Sequence, residues 1–274
     1  MDAVRTADHD RYLSALYAPA DKRDALFSLY AFNAEIAGVR DRIHEPLPGE
    51  VRLQWWRDVI AADGGSDTGN PIADALLATI AANRLPKSAF ENMLEARIFD
   101  LYDDPMPSRT DLEGYCGETA AALIQLAAMV LDPVAAPCFA ELAGRAGCAQ
   151  GITGLLLLLP LHRRRGQCFV PADILTAAGT SPEAFVKGED GPAARRAMAA
   201  MIALAREHLN AFEKAAPTLP VSLRPAFVPL TLTRAYLDKM EKAGASPLGR
   251  TMRLSTIRRH WVLLRHAMQG WTTL

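Results

Sequence analysis

No Cys-x-x-Cys occurs in the 274 residues, the six histidines are scattered singly, and no nucleophile-elbow, His-Glu-x-x-His, phosphate-loop or dinucleotide fingerprint is present. These absences remove the common serine-hydrolase, zinc-protease, nucleotide-driven and nicotinamide-dependent readings. An excess of one charge sign is missing too: the formal net charge is −1, so no global basic field exists to hold nucleic acid, and any anion binding must be local. Cys116, Cys138, Cys148 and Cys168 are spaced too irregularly for a zinc ribbon and read as reduced core thiols in a reducing compartment. The opening MDAVRTADHDRY carries acids and no apolar core, unlike a signal or transit peptide, so a cytoplasmic or mature protein is expected. The longest leucine run, Leu155 to Leu159, is closed by Pro160. It falls far short of the ~20 residues that span a bilayer and is expected to be a buried helix end.

What the sequence does contain is helical periodicity. Apolar residues recur at three and four spacing from Ala25 to Ile36, with Leu26, Leu29 and Tyr30 on one stripe, Asn33 continuing it and Asp21 near its start. A second helix is expected from near Gly49, carrying Val51, Gln54, Trp55 and Val59. Trp55 and Trp56 are adjacent, so only one can face the core squarely. Pro71 and Pro86 open two more helices, and Ser108 or Thr110 caps a fifth through DLEGYCGETAAALIQLAAMVL. Pro133 restarts the chain for a sixth helix to Leu159, whose apolar second half is expected to be surrounded on every side. The loop HRRRGQCF leads to a short helix ended by Gly179, a loop or single turn at SPEAFVKGEDGPA, and helical stretches at 192–216, 221–243 and 248–268. No strand pattern, internal repeat or linker is evident. The expectation is an all-α, single-domain helical bundle over residues 1–274.

Few residues offer chemistry. Asp100, Asp103 and Asp104 share three and four spacing, but a solvated helix end explains them without a cation. Arg163, Arg164 and Arg165 follow the apolar helix, where cations complement the helix dipole. An anion clamp for diphosphate, a phospholipid headgroup or an acidic partner is the rival reading. Gln150 and Thr153 are candidate polar anchors in an apolar pocket, or ordinary helix-packing residues.

The segments LFSLYAF, QWWRDVI, NRLPKSAFENMLEARIFDLY, DLEGYCGETAAALIQL, AQGITGLLLLLP and RRRGQCFVPADILTAAG, in that order, resemble the squalene and phytoene synthase family over nearly the whole chain. The resemblance implies an isoprenoid-synthase-type bundle around a central apolar cavity. It also implies two acidic motifs whose magnesium ions bind diphosphate. Here the first aspartate pair falls on Ala37 and Gly38, leaving Asp41, and the usual arginine is Ala34. Glu35 is no simple substitute, because six residues rotate it about 240° from Asp41 on an ideal helix. The second pair falls on Leu158 and His162, or on Leu157 and Leu161 in the other register, and no Asp or Glu occurs from Leu142 to Ala172.

AFNAEIA together with RLQWWRDVI is similar to the mitochondrial assembly-factor branch, whose members help build respiratory complex I and are regarded as non-catalytic. The resemblance therefore implies a pseudoenzyme that serves as an assembly or binding platform for a respiratory-complex subunit at the inner face of a membrane. It needs no catalytic residue, metal or cofactor. The alternatives are a prenyl-diphosphate condensing synthase, which would require magnesium and for which the arginines are the candidate charge replacement, or a protein that binds a prenyl lipid without chemistry.

Overall fold

The computed structural model of the chain describes residues 1–43, 45–62, 68–189, 191–243, 248–250 and 252–269. Among them there is no strand, and the all-α expectation holds. Two short helices that the sequence reading did not anticipate come first, α1 (Asp2–Ala7) and α2 (His9–Ala15). Asp8 caps α2 by accepting from the backbone N–H of Arg11. Then follow α3 (Arg23–Ala37), α4 (Val39–Arg42), α5 (Pro46–Ala61), α6 (Pro71–Asn83) and α7 (Lys87–Ile98). Asn70 caps α6 with Pro71 in its first turn.

Ser108 caps α8 (Arg109–Cys116). A π-helical turn, Gly117–Ala121, joins it without a break to α9 (Ala122–Leu131). The chain restarts at a 3₁₀ turn, Ala136–Phe139, and runs into α10 (Ala140–Arg164). The remaining helices are α11 (Ala172–Ala178), α12 (Pro182–Lys187), α13 (Pro192–Ala215), α14 (Arg224–Phe227), α15 (Thr231–Ala243) and α16 (Thr256–Gln269). Gly179 closes α11 with φ 83°, in the left-handed region expected of a C′ glycine. The stretch read as 221–243 is broken by a 3₁₀ turn at Val228–Leu230, and the last helix starts eight residues later than expected.

The chain forms two compact units, each assembled from three segments. The first unites 1–102, 122–143 and 218–229. Here α3 packs on α6 and α9, α5 packs on α7, and α14 packs on α9 and α2. The stripe expected on α3 is buried, Asn33 included. The stripe expected on α5 is not: Gly49, Leu53, Trp56 and Ile60 face inward, while Val51 is exposed and Trp55 half-buried. Trp56 sets the rotation. Its ring meets Phe32 edge-on at 5.1 Å, and Phe32 meets Phe90 at 5.6 Å, geometry favoured by the aromatic quadrupole. Trp55 instead lies under the guanidinium of Arg52, 4.7 Å from its ring centre.

The second unit unites 103–121, 144–217 and 230–274, with α13 between α11 and α15 and α16 against α15. The backbone of Met106 exchanges hydrogen bonds with Cys168 and Ala172, at 2.9 and 2.8 Å, fixing the segment after α10. Glycines of α10 meet the π-helical turn. A Cβ on Gly147 would lie 2.3 Å from the Ala121 backbone, and one on Gly151 would lie 2.8 Å from Cys116 Sγ. Cys116, Cys148 and Cys168 are buried thiols as expected, whereas Cys138 is exposed.

Two expectations about the apolar helix need correction. Pro160 does not end α10, which continues to Arg164. Nor is the leucine run surrounded: Leu156 and Leu159 are buried, Leu155 and Leu157 are half-buried, and Leu158 is 47% exposed. At 3.6 residues per turn, five consecutive leucines cover more than one face whatever the surroundings. The ~20-residue length that spans a bilayer is met by whole helices although the leucine run falls short of it. The continuous helices 109–131 and 136–164 are each long and apolar enough to cross a membrane by length and composition, with about half of each apolar window buried inside the protein.

Candidate functional site

In the first unit, the segment that the family resemblance marks as an acidic motif lies where α3 gives way to α4. Helix α3 stops at Ala37, and Gly38 separates it from α4, so Asp41 occupies an exposed turn of its own. Glu35 is committed elsewhere. Its carboxylate accepts from Arg42 Nη1 and Nη2 at 3.0 and 3.1 Å, Arg42 also donates to its carbonyl at 2.8 Å, and Arg52 lies 3.6 Å away. Two guanidiniums therefore offset the one carboxylate retained on this turn of α3. Asp100 of the other acidic cluster is buried and paired with Arg97 at 2.9 Å, correcting its solvated reading, whereas Asp103 and Asp104 are exposed.

In the second unit, the corresponding positions lie in the last turns of α10. Leu158 is half exposed, and His162 is buried, its ring 4.6 Å from that of Phe169. Arg163 and Arg164 belong to the helix rather than to a loop beyond it. Arg163 donates to the carbonyls of Phe185 and Leu248, both at 2.8 Å, and its guanidinium lies 5.0 Å from the Phe185 ring centre. Arg164 donates to Pro160 O within its own helix at 3.2 Å, and Arg165 is half-buried. Two of the three guanidiniums thus serve backbone carbonyls. Thr153 is buried and donates to Ala149 O at 2.7 Å, while Gln150 is half-buried one turn earlier.

The residues at these positions do not fit a magnesium ion. Hard-cation sites are built from converging carboxylate oxygens. The positions at which the resemblance places the family's aspartates hold Ala37 and Gly38, then Leu158 and His162 or, in the other register, Leu157 and Leu161, and no three His, Cys, Asp or Glu side chains converge among the described residues. The exposure of Leu158 and the burial of His162 set opposite expectations for a carboxylate at the two positions. Leu158→Asp shifts stability by less than about 1 kcal/mol, because the new charge stays hydrated. His162→Asp costs about 1–3 kcal/mol, because its charge is buried against Phe169. Thermal melts of the two variants check the contrast, and equal losses would refute it.

One polar cluster was not anticipated. Glu113 of α8 accepts from Arg109 Nε at 3.1 Å and lies 2.8 Å from His208 Nε2 of α13. Arg109 also donates to Glu207 at 3.2 Å, and its backbone N–H donates to Asp173 at 3.1 Å. The Arg109–Glu113 spacing is a legible i,i+4 pair, but nothing local announces that His208, 95 residues away, completes it. Burial pushes the Glu113 carboxyl up, and the hydrogen bonds from His208 and Arg109 outweigh it, leaving the group below the usual carboxylate range. A depressed carboxylate stabilises the fold above its unfolded pKa and loses that contribution as pH falls through the folded one. Stability should therefore decline below about pH 4.5, where a free glutamate titrates. In Glu113→Gln, acid melts should show a shallower decline from a lower starting point. An unchanged acid limb would remove Glu113 from the account.

Comparison with known proteins places these observations. The squalene/phytoene synthase family model matches residues 4–264. NADH dehydrogenase (ubiquinone) complex I, assembly factor 6, of Bos taurus and of Homo sapiens is 28% identical over 244 residues, covering 88% of this chain and 73% of each relative. Phytoene synthase 1 of Arabidopsis thaliana is 26% identical over 239 residues, covering 84% of this chain and 56% of its own. Among solved structures, a dehydrosqualene synthase in complex with ligand superposes with a TM-score of 0.82 at 19% identity, over 96% of this chain and 92% of that one. That likeness establishes the isoprenoid-synthase-type fold.

Proposed function

This chain belongs to the squalene/phytoene synthase family, and we propose that within it the protein is a non-catalytic assembly or binding factor for respiratory complex I. The observation that carries the reading is the pair Leu158 and His162, one an aliphatic side chain and the other a ring packed on Phe169, where an active member needs the second pair of metal-binding aspartates. Ionising a prenyl diphosphate without metal requires an equivalent concentration of positive charge. Arg163 and Arg164 instead donate to backbone carbonyls. The similarity to assembly factor 6 over most of the chain supports the partner, a subunit or assembly intermediate of complex I.

The test has two arms. Purified protein incubated with farnesyl or geranylgeranyl diphosphate, magnesium and a reductant should return the substrates unchanged by mass spectrometry. A condensed product would overturn the non-catalytic reading and restore the synthase. Tagged full-length chain captured from detergent-solubilised membranes should enrich complex I subunits over an untagged control, and no enrichment would overturn the assembly role. Diphosphate retained by the protein but not converted would assign prenyl-lipid binding instead.

A further inference from the structure

The most one-sided part of the molecule is its C-terminal end. From Lys242 to Leu274 the chain carries one lysine and five arginines and no Asp or Glu, within a protein whose overall charge is close to zero. Helix α16 lies in this stretch and packs on α15 through Leu263, which is 1% exposed. Its other side is not polar, as the outer side of a packed surface helix would be. Ile257 is 84% exposed, Trp261 59% and Leu264 50%.

Spaced four and then three residues apart, these side chains form one ridge. At 100° per residue they fall within an arc of about 60°, flanked on one edge by Arg258 and Arg265 and on the other by His260. Arg265 stays close to the ridge, with its guanidinium 5.5 Å from the Trp261 ring. Arg250, Arg253 and Arg258 are exposed as well.

We propose that the outer ridge of α16, formed by Ile257, Trp261 and Leu264 with its flanking arginines, is a docking surface for an anionic lipid bilayer. An apolar ridge topped by tryptophan and edged by arginine is the pattern of a helix lying in the plane of the headgroup boundary, where indole and aliphatic groups enter the acyl region and guanidiniums stay with phosphates. Charge complementarity selects the occupant. Six cationic residues and no acidic one in the sequence from 242 to 274 match a negatively charged leaflet, whereas nucleic acid would leave Ile257 and Leu264 against a polar backbone. The helix lies on the surface and does not span it, because its 14 residues measure only about 21 Å. This inference stands apart from the complex I reading.

Full-length protein is centrifuged with vesicles of phosphatidylcholine alone or with about a third phosphatidylglycerol. It should co-sediment with the anionic vesicles only, releasing as salt is raised, since the arginine contribution is screened. The double variant Ile257→Ser/Trp261→Ser removes two exposed side chains, so its melting temperature should hold while vesicle affinity falls about tenfold or more. Arg258→Gln should weaken binding and flatten its salt dependence. Equal binding to neutral vesicles, or unchanged binding by the double variant, would overturn the proposal. Absence of vesicle binding together with a dimer in solution that the double variant abolishes would also overturn it, and would assign the ridge to a second copy of the chain.

Discussion

Gly147→Ala destabilises the protein by about 3 kcal/mol or more, lowering its melting temperature by roughly 6–12 °C, although alanine is the better helix former. The reason lies across the helix interface. The added Cβ meets the Cα and N of Ala121 at 2.3 Å and its Cβ at 2.4 Å. These are mostly backbone atoms and cannot swing aside as a side-chain tip would. Ala121 ends the π-helical turn, whose wider loop of backbone comes close to α10 at this point. The same substitution at Gly154 of the same helix has the opposite sign. No atom lies within 4 Å of a Cβ built there, so alanine contributes its helix propensity, about 0.5–1 kcal/mol of stabilisation. Paired thermal melts decide the matter, and a neutral or stabilising shift for Gly147→Ala would mean that the close approach there is absent.

Trp56→Ala costs about 3–5 kcal/mol, whereas Trp55→Ala, its immediate neighbour, costs less than about 1 kcal/mol. Trp56 is fully buried and anchors the edge-on contacts with Phe32 and, through it, Phe90, so truncation leaves a cavity among rigid rings. Its indole N–H is buried with no hydrogen-bond partner among the described residues. Trp56→Phe therefore loses area but no hydrogen bond and should recover most of the stability. Denaturant unfolding of the three variants gives the ranking, and a loss in Trp55→Ala as large as that in Trp56→Ala would contradict the assigned rotation of α5.

The sequence carried most of the helix inventory, because capping and punctuation are local. Pro71, Ser108, Gly179 and the stripe on α3 each act within a few residues, and the structure bears them out. The orientation of α5 was not legible. Val51, Trp55 and Val59 are as apolar as Leu53, Trp56 and Ile60, and the choice between the two faces belongs to Phe32 on another helix. Pro160 misled because proline, which removes one intrahelical hydrogen bond and crowds the preceding turn, does not by itself end α10, which runs on to Arg164. Of the candidate site residues, the arginine run was visible as charge. Its division between carbonyls of Phe185, Leu248 and Pro160 was not, since backbone acceptors leave no mark in a sequence. The Glu113–His208 contact was hidden by the same long separation.

The way the two units are threaded bears on how the protein is made. The first unit takes its final segment from residues 218–229, yet 102 of its residues precede every other part of the chain. Helix α14, residues Arg224–Phe227, covers α2 and α9. The earliest apolar faces to leave the ribosome therefore wait for a piece synthesised some two hundred residues later, which at typical elongation rates is on the order of 10–40 s. Closure over that separation is slow and exposes unpaired surface meanwhile. Nascent chains stalled before residue 218 should thus engage chaperones through the first unit, and released chains that also carry residues 230–274, which complete the second unit, should not.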